Sequence, residues 1–360
     1  MSNPIGTLKR TISGAPVHRR HHTKSDGRDL FLYGYKPHDL APFAGEGLDM
    51  NAGAELRLHP LRKTWSIYAA NRNNRTFKPS AAADPLAPSL PGAPLTEIPF
   101  EDFELCVFGN RFPSLHPSSP EPAPGQLETM RADGACEVIV YAPEGTGSLA
   151  TLGQARRRLL VEAWIDRYLD LFDKGAAFVL PFENRGEAVG VTLHHPHGQI
   201  YGLPVIPAPQ LAALDAFEIG YDLAGKLSEW RAAYAIAEAG GMMAYAPPFA
   251  RFPYEVWISA IVPVSGPWGF DESQSDGFAH LLGDITARYD AFFGTDTPYM
   301  LTLHAAPYGR DGAFQFSAQF YPLLRAPGRV KYLASVEQAT GIFTVDVMPE
   351  QAAKTLRDIL

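Results

Sequence analysis

One order of elements, strand, strand, helix, strand, strand, is legible twice in this 360-residue chain, and it limits the fold more than any other feature. The first copy predicts strands near 103–109 and 136–142, a helix near 151–174, and strands near 177–183 and 193–202. The second runs through Met242–Tyr245, Tyr254–Val262, a helix near 275–293, Pro298–His304 and Phe314–Leu323. Each helix carries a single apolar stripe with the helical period. It comprises Leu159, Leu160, Ala163, Trp164, Tyr168 and Leu171 in the first, and Leu281, Leu282, Ile285, Tyr289 and Phe292 in the second. Glu137–Tyr141 answers Glu255–Ser259, and Phe182–Gly186 sits where Leu303–Pro307 sits later. A sheet must bury one face, so the expected class is α+β: a duplicated unit whose two antiparallel half-sheets fuse across a pseudo-twofold axis with helices packed on them. The halves are placed at residues 25–206 and 207–360, with a helical stretch over 207–240 carrying the chain between them.

Residues 1–24 show no apolar period and read as a mobile tail, with His18-Arg19-Arg20-His21-His22 as a solvated basic run. The Pro-rich stretch 79–99 can be neither helix nor central strand, and 117–125 reads as a surface loop. At 46% hydrophobic residues the chain can fill one large core or two fused ones. No apolar run is long enough to span a bilayer, and the N-terminus lacks the order of a secretory signal. A net charge of −8 argues against nucleic acid as a partner. Cys106 and Cys136 both lie in strand-like runs and are expected as buried thiols of a cytoplasmic protein.

The chemistry concentrates in Phe182–Tyr201. Side chains on a strand alternate faces, so His195, His197 and Gln199 project to one side. A neutral imidazole attacks phosphorus readily and leaves an N–P bond that an incoming phosphate can break. It attacks through one nitrogen only if the other holds the proton against an acceptor. A carbonyl of the His195-Pro196 segment would serve. Gln199 can donate to a phosphoryl oxygen but cannot act as a general acid, which suits transfer between two phosphates better than hydrolysis. On spacing alone, a His-x-His pair on a strand is more often a metal pair or a surface coincidence than a catalytic one.

Several ordered motifs go further. They are Asn71-Arg72-Asn73-Asn74-Arg75, Phe108-Gly109-Asn110-Arg111-Phe112-Pro113, Phe182–Gly186, His195-Pro196-His197-Gly198-Gln199-Ile200, His304–Pro307, Phe320-Tyr321-Pro322 and Lys331–Glu337. Together they resemble the galactose-1-phosphate uridylyltransferase family of the histidine-triad superfamily, over roughly residues 25–355. The resemblance implies an N-terminal histidine-triad-like half with the nucleophile and a degenerate C-terminal half. It implies a ping-pong reaction in which His197 takes the uridylyl group from UDP-glucose and passes it to galactose 1-phosphate, with no cofactor beyond the covalent uridylyl-histidine. His195 and Gln199 join His197 as the catalytic set. Asn110, Phe112 and Asn184 would lie along the nucleotide, Arg72 and Arg75 would face its phosphates, and Thr192 would touch phosphoryl oxygen beside Gln199. Lys331 and Glu337 would approach the sugar across the interface of a homodimer, and Glu183 would position rather than act as a base.

The chain departs from that family at its metals. Where many members carry a zinc site of two cysteines and two histidines, this chain has Asp84-Pro85-Leu86-Ala87 and Gly145, leaving only His195. One imidazole and one carboxylate fall short of a closed tetrahedral site, so no zinc is expected. At a second metal position the His-x-His pair reads Ser317-Ala318-Gln319, leaving His304 without most of its companions. Val336 and Gly341 replace more polar residues near the sugar, which leaves the acceptor open. The competing readings are a nucleotide-sugar or dinucleoside-polyphosphate phosphorylase and a non-catalytic nucleotide-sugar-binding paralogue.

Overall fold

The computed structural model describes residues 5–12 (main chain only), 15–45, 53–70 and 84–359. Among these residues, one twelve-stranded antiparallel sheet dominates. Its order begins β1 (Ile5–Ile12), β2 (Ala15–Thr23), β3 (Asp29–Gly34), β6 (Leu105–Gly109), β8 (Ala135–Val140), β10 (His197–Leu203) and β9 (Phe178–Arg185). It continues β14 (Tyr299–His304), β15 (Ser317–Pro322), β13 (Val256–Ala260), β12 (Met242–Tyr245) and β11 (Ala235–Ala239). A small side sheet contains β4 (Ala54–Leu58), β5 (Trp65–Ala69) and β7 (Thr129–Arg131), and β16 (Leu324–Ala326) pairs with β17 (Arg329–Val330). The helices are α1 (Gln154–Asp173), α2 (Ala208–Glu218), α3 (Leu223–Tyr234), α4 (Glu272–Phe293), α5 (Ser335–Thr340) and α6 (Pro349–Arg357).

The two strand groups meet at β9 and β14, where Glu183 pairs with Leu301 and Arg185 with Tyr299. Helices α1 and α4 lie together on one face, burying Leu160, Trp164 and Tyr168 with Phe278, Leu282 and Ile285 in one core. Arg157 stitches the helices by donating to the Ala279 carbonyl at 2.8 Å, and Arg158 pairs with Asp276 at 2.9 Å. The start of α4 is set by a capping box in which Asp271 accepts from the Gln274 amide while Gln274 reaches back. Its end is set by Gly294 in the left-handed region, φ 68°.

Three expectations need correction. Residues 15–23 are not a tail: they form β2, in register with β3, and 5–12 add β1 outside it. Polar contacts seat that strand, which is why its charged composition concealed it. Arg19 forms a two-pronged ion pair with Asp166 of α1 (2.9 and 3.0 Å), and the Arg20 guanidinium donates to the His38 carbonyl at 2.8 Å. The stretch 207–240 is not helical throughout, because its last residues form β11. The internal match of Glu137 with Glu255 is one residue out of step. Laid on His197-Gly198-Gln199, Ser317-Ala318-Gln319 places Val256 beside Phe320 where Glu137 stands beside Ile200. Glu137 accordingly faces α1 and binds Arg167, whereas Glu255 faces the other side and accepts from the Trp257 indole. A shift of one residue along a strand exchanges faces, so similar letters pointed to opposite sides of the sheet.

Candidate active site

Strand β10 presents Ile200 to the helices and His197, Gln199 and Tyr201 to the opposite face. On that face lies a cavity of about 450 Å³, lined by Asn110, Arg111, Phe112, Asn184, Thr192, His197, Gln199 and Tyr201 together with apolar Leu86, Phe108, Val138 and Phe182. The turn after β6, the segment 85–97, strands β8, β9 and β10, and the loop 189–193 build it. Asn110 closes its own turn by accepting the Phe112 amide at 2.9 Å, while its main-chain N–H donates to the Cys136 carbonyl at 2.8 Å. Gly198 lets the sheet close beneath the histidine. A Cβ there would stand 2.6 Å from the Tyr141 hydroxyl and 2.9 Å from the Phe182 carbonyl oxygen.

The imidazole of His197 is oriented by the main chain. Its Nδ1 lies 2.7 Å from the carbonyl oxygen of His195. A carbonyl can only accept, so Nδ1 carries the proton and Nε2 keeps its lone pair. Burial pushes the pKa of His197 below 6.5 against the opposing pull of that carbonyl, favouring the neutral ring. The arrangement is that of a neutral imidazole with a fixed tautomer that shares its cavity with the Gln199 amide.

Beneath it, buried Glu183 accepts from the Tyr141 and Tyr299 hydroxyls, each at 2.9 Å, one tyrosine from each half of the sheet. On the rim, Glu97 pairs with Lys24 and, at 2.8 Å, with Arg28, whose guanidinium also donates to the Gly109 carbonyl at 2.8 Å. The rim therefore depends on residues between β2 and β3.

Not every anticipated residue reaches the cavity. Asn110, Phe112, Asn184, Thr192, His197 and Gln199 converge there. Arg72 and Arg75 lie outside the described residues. His195 is sealed behind the cavity, with Nδ1 2.7 Å from Asp84 Oδ2 and Nε2 2.8 Å from the Ala142 carbonyl. Lys331 and Glu337 do not line the cavity of their own chain and instead form a mutual ion pair at 2.6 Å. The Ala334 N–H, the Lys331 ammonium and the Thr344 N–H hold the Glu337 carboxyl at about 2. The polar lining also includes Glu97, Arg111 and Tyr201, for which the sequence analysis offers no role. Arg111 belongs to the motif Phe108–Pro113. Its guanidinium sits over the Phe112 ring at 5.2 Å, and its buried Nε has no hydrogen-bond partner among the described residues. Tyr201 continues the alternation of His197 and Gln199, and that period of two could have found it.

At neither metal position do the described residues supply a closed ligand set. Around His195, Asp84 is already bonded to the ring, and Gly145 supplies no side chain. In the second half, His304 Nε2 is 2.8 Å from the Thr302 hydroxyl and Nδ1 is 3.1 Å from the Gln210 amide nitrogen. Burial drives the His304 pKa down to about 4. Among the described residues no cluster of three or more His, Cys, Asp or Glu side chains could hold a metal ion.

The model of the galactose-1-phosphate uridyl transferase N-terminal domain matches residues 46–207, which span the whole cavity. The galactose-1-phosphate uridylyltransferase of Thermotoga maritima is 35% identical over 322 residues, covering 84% of this chain and 98% of that protein. The chain belongs to the galactose-1-phosphate uridylyltransferase family. The enzyme of that name from Streptomyces lividans is 30% identical over 359 residues, covering 93% of this chain and 96% of that one. A solved uridylyltransferase structure superposes with a TM-score of 0.77 at 26% identity, covering 85% of this chain and 98% of the other. Family membership thus extends over both halves of the sheet.

Proposed function

We propose that this protein is a UDP-glucose:hexose-1-phosphate uridylyltransferase, with galactose 1-phosphate as acceptor, working through a covalent intermediate on His197. The observation that carries the reading is the 2.7 Å contact between His197 Nδ1 and the His195 carbonyl, which leaves Nε2 as the nucleophilic atom at the cavity. In the first half-reaction an Nε2–P bond forms at the α-phosphorus, and the P–O bond to the departing sugar 1-phosphate breaks. The leaving group is a phosphate anion and needs no proton, which is why an amide at Gln199 suffices where a general acid would otherwise be required. In the second half-reaction a phosphate oxygen of the acceptor attacks, the N–P bond breaks, and its electron pair returns to Nε2.

Asn110, Phe112 and Asn184 are assigned to the nucleoside, and Thr192 and Gln199 to phosphoryl oxygens. Arg72 and Arg75 are assigned to the phosphates on the strength of their motif. Lys331 and Glu337 are assigned to the sugar of a second copy's site. Exposed Tyr332, Leu333 and Ile342 beside them supply apolar surface for such a homodimer. The reading needs no metal. A cytoplasmic setting accords with Cys106 and Cys136 as buried thiols, and no helix among the described residues is long and apolar enough to cross a membrane.

The test is intact mass after mixing with UDP-glucose. The expected result is a uridylyl adduct that disappears in His197→Ala and is discharged by galactose 1-phosphate. No adduct with any nucleotide sugar refutes the reading, and discharge by inorganic phosphate alone would make the protein a phosphorylase.

A further inference from the structure

His195 touches no part of the cavity, yet its carbonyl sets the protonation of His197. What holds His195 is therefore part of how the site works. Its side chain has no solvent exposure, and both ring nitrogens face oxygen: Ala142 O at 2.8 Å and Asp84 Oδ2 at 2.7 Å. Burial works against ionising Asp84, but its bonds to His195 and to the Leu86 amide (2.9 Å) outweigh it and hold its carboxyl below the usual range. A carbonyl and a carboxylate both call for a proton, so the ring is clamped at its two ends. The third side is closed by Gly145, where a Cβ would already be 3.3 Å from Asp84 Oδ2 and 3.6 Å from His195 Nδ1. The main chain beyond is tied as well, since the Tyr141 N–H donates to the Pro196 carbonyl at 3.3 Å. A metal ligand needs a bare nitrogen lone pair, and this ring has none to offer without breaking the ion pair.

We propose that the buried Asp84–His195 ion pair replaces a metal as the anchor of the His195-Pro196 segment, making Asp84 a positioning residue that keeps the proton of His197 on Nδ1. The assignment rests on His197 being the nucleophile. Asp84 lies in the same segment as Leu86 and Glu97 of the cavity lining. Once the pair is lost, the His195 carbonyl can drift. A drift of about 1 Å forfeits the hydrogen bond, and misplacement on that scale costs on the order of 100-fold in rate.

The experiment uses full-length protein with ¹⁵N-labelled histidine, wild type and Asp84→Asn, the latter preserving size without the charge. Three quantities are read: the His197 tautomer by long-range ¹H–¹⁵N NMR, the single-turnover rate of adduct formation from UDP-glucose, and the Kd for UDP. Expected in Asp84→Asn are a mixed His197 tautomer, a rate lowered by about 10- to 100-fold, and a Kd within about twofold of wild type. An unchanged tautomer, or an unchanged rate, overturns the proposal. A wild type that forms no adduct defeats the functional reading instead, while the tautomer comparison still decides the role of Asp84. Should Asp84→Asn fail to fold, the wild-type spectrum decides: His195 must carry protons on both ring nitrogens and be unmoved by one equivalent of zinc chloride. A bare nitrogen or a zinc-shifted His195 signal overturns the proposal.

Discussion

Replacing Glu183 by glutamine probes the floor of the site through one measurable slope. The carboxyl is 5% exposed and takes hydrogen bonds from two tyrosines, one at each oxygen. Burial nevertheless outweighs those donors and nearby Arg185, raising its pKa from 4.5 to about 7. The unfolded chain releases this proton near 4.5, whereas the folded chain keeps it until about 7. Between those values the native state binds more protons, so stability is complete below pH 4.5 and is lost as pH rises to about 7. At about 1.4 kcal/mol per tenfold, the gap corresponds to about 3 kcal/mol. Glutamine is isosteric and cannot ionise; its amide oxygen accepts from one tyrosine and its NH₂ donates to the other. Glu183→Gln should therefore exceed the parent by about 3 kcal/mol at pH values about one unit above the folded pKa, with the difference vanishing as pH falls toward 4.5. Urea denaturation at fixed ionic strength across that range measures it, provided the m-values agree. A difference that does not change with pH, or a destabilised variant in alkali, would show that the tyrosine bonds to the anion outweigh desolvation and refute the reasoning.

The remaining predictions are simpler. Gly198→Ala must push the Tyr141 hydroxyl or the Phe182 carbonyl aside, so thermal or chemical unfolding should register a loss of about 1–3 kcal/mol, with slower adduct formation. His304 is depressed to about 4 from 6.5, so the unfolded chain binds the extra proton and stability falls by up to about 3 kcal/mol as pH drops through that window. His304→Gln should flatten that acid-side slope in a denaturation series, and an unaltered slope would count against burial as its cause. His197→Ala should abolish the mass adduct while retaining nucleotide binding by calorimetry.

What could be read from the chain alone was whatever depends on local spacing. The helical stripes of α1 and α4, the alternation of His197 and Gln199, and the repeated element order all follow from periods of the backbone, which short windows of sequence display. The motifs around Asn110, Asn184 and His197 were legible for the same reason, each being contiguous. Strand β2 was not: its apolar anchor is little more than Val17, and its partners, Asp166 and the carbonyl of His38, lie far along the chain. Nor could residue letters reveal that Glu137 and Glu255 face opposite sides of the sheet, because register is a property of paired strands. The union of Asp84 with His195, 111 positions apart, and of Tyr141 and Tyr299 on Glu183 is likewise a product of tertiary packing. Sequence named the groups capable of the chemistry, and the fold chose their neighbours, because the desolvation and hydrogen bonding that set charge and tautomer act through space and not along the chain.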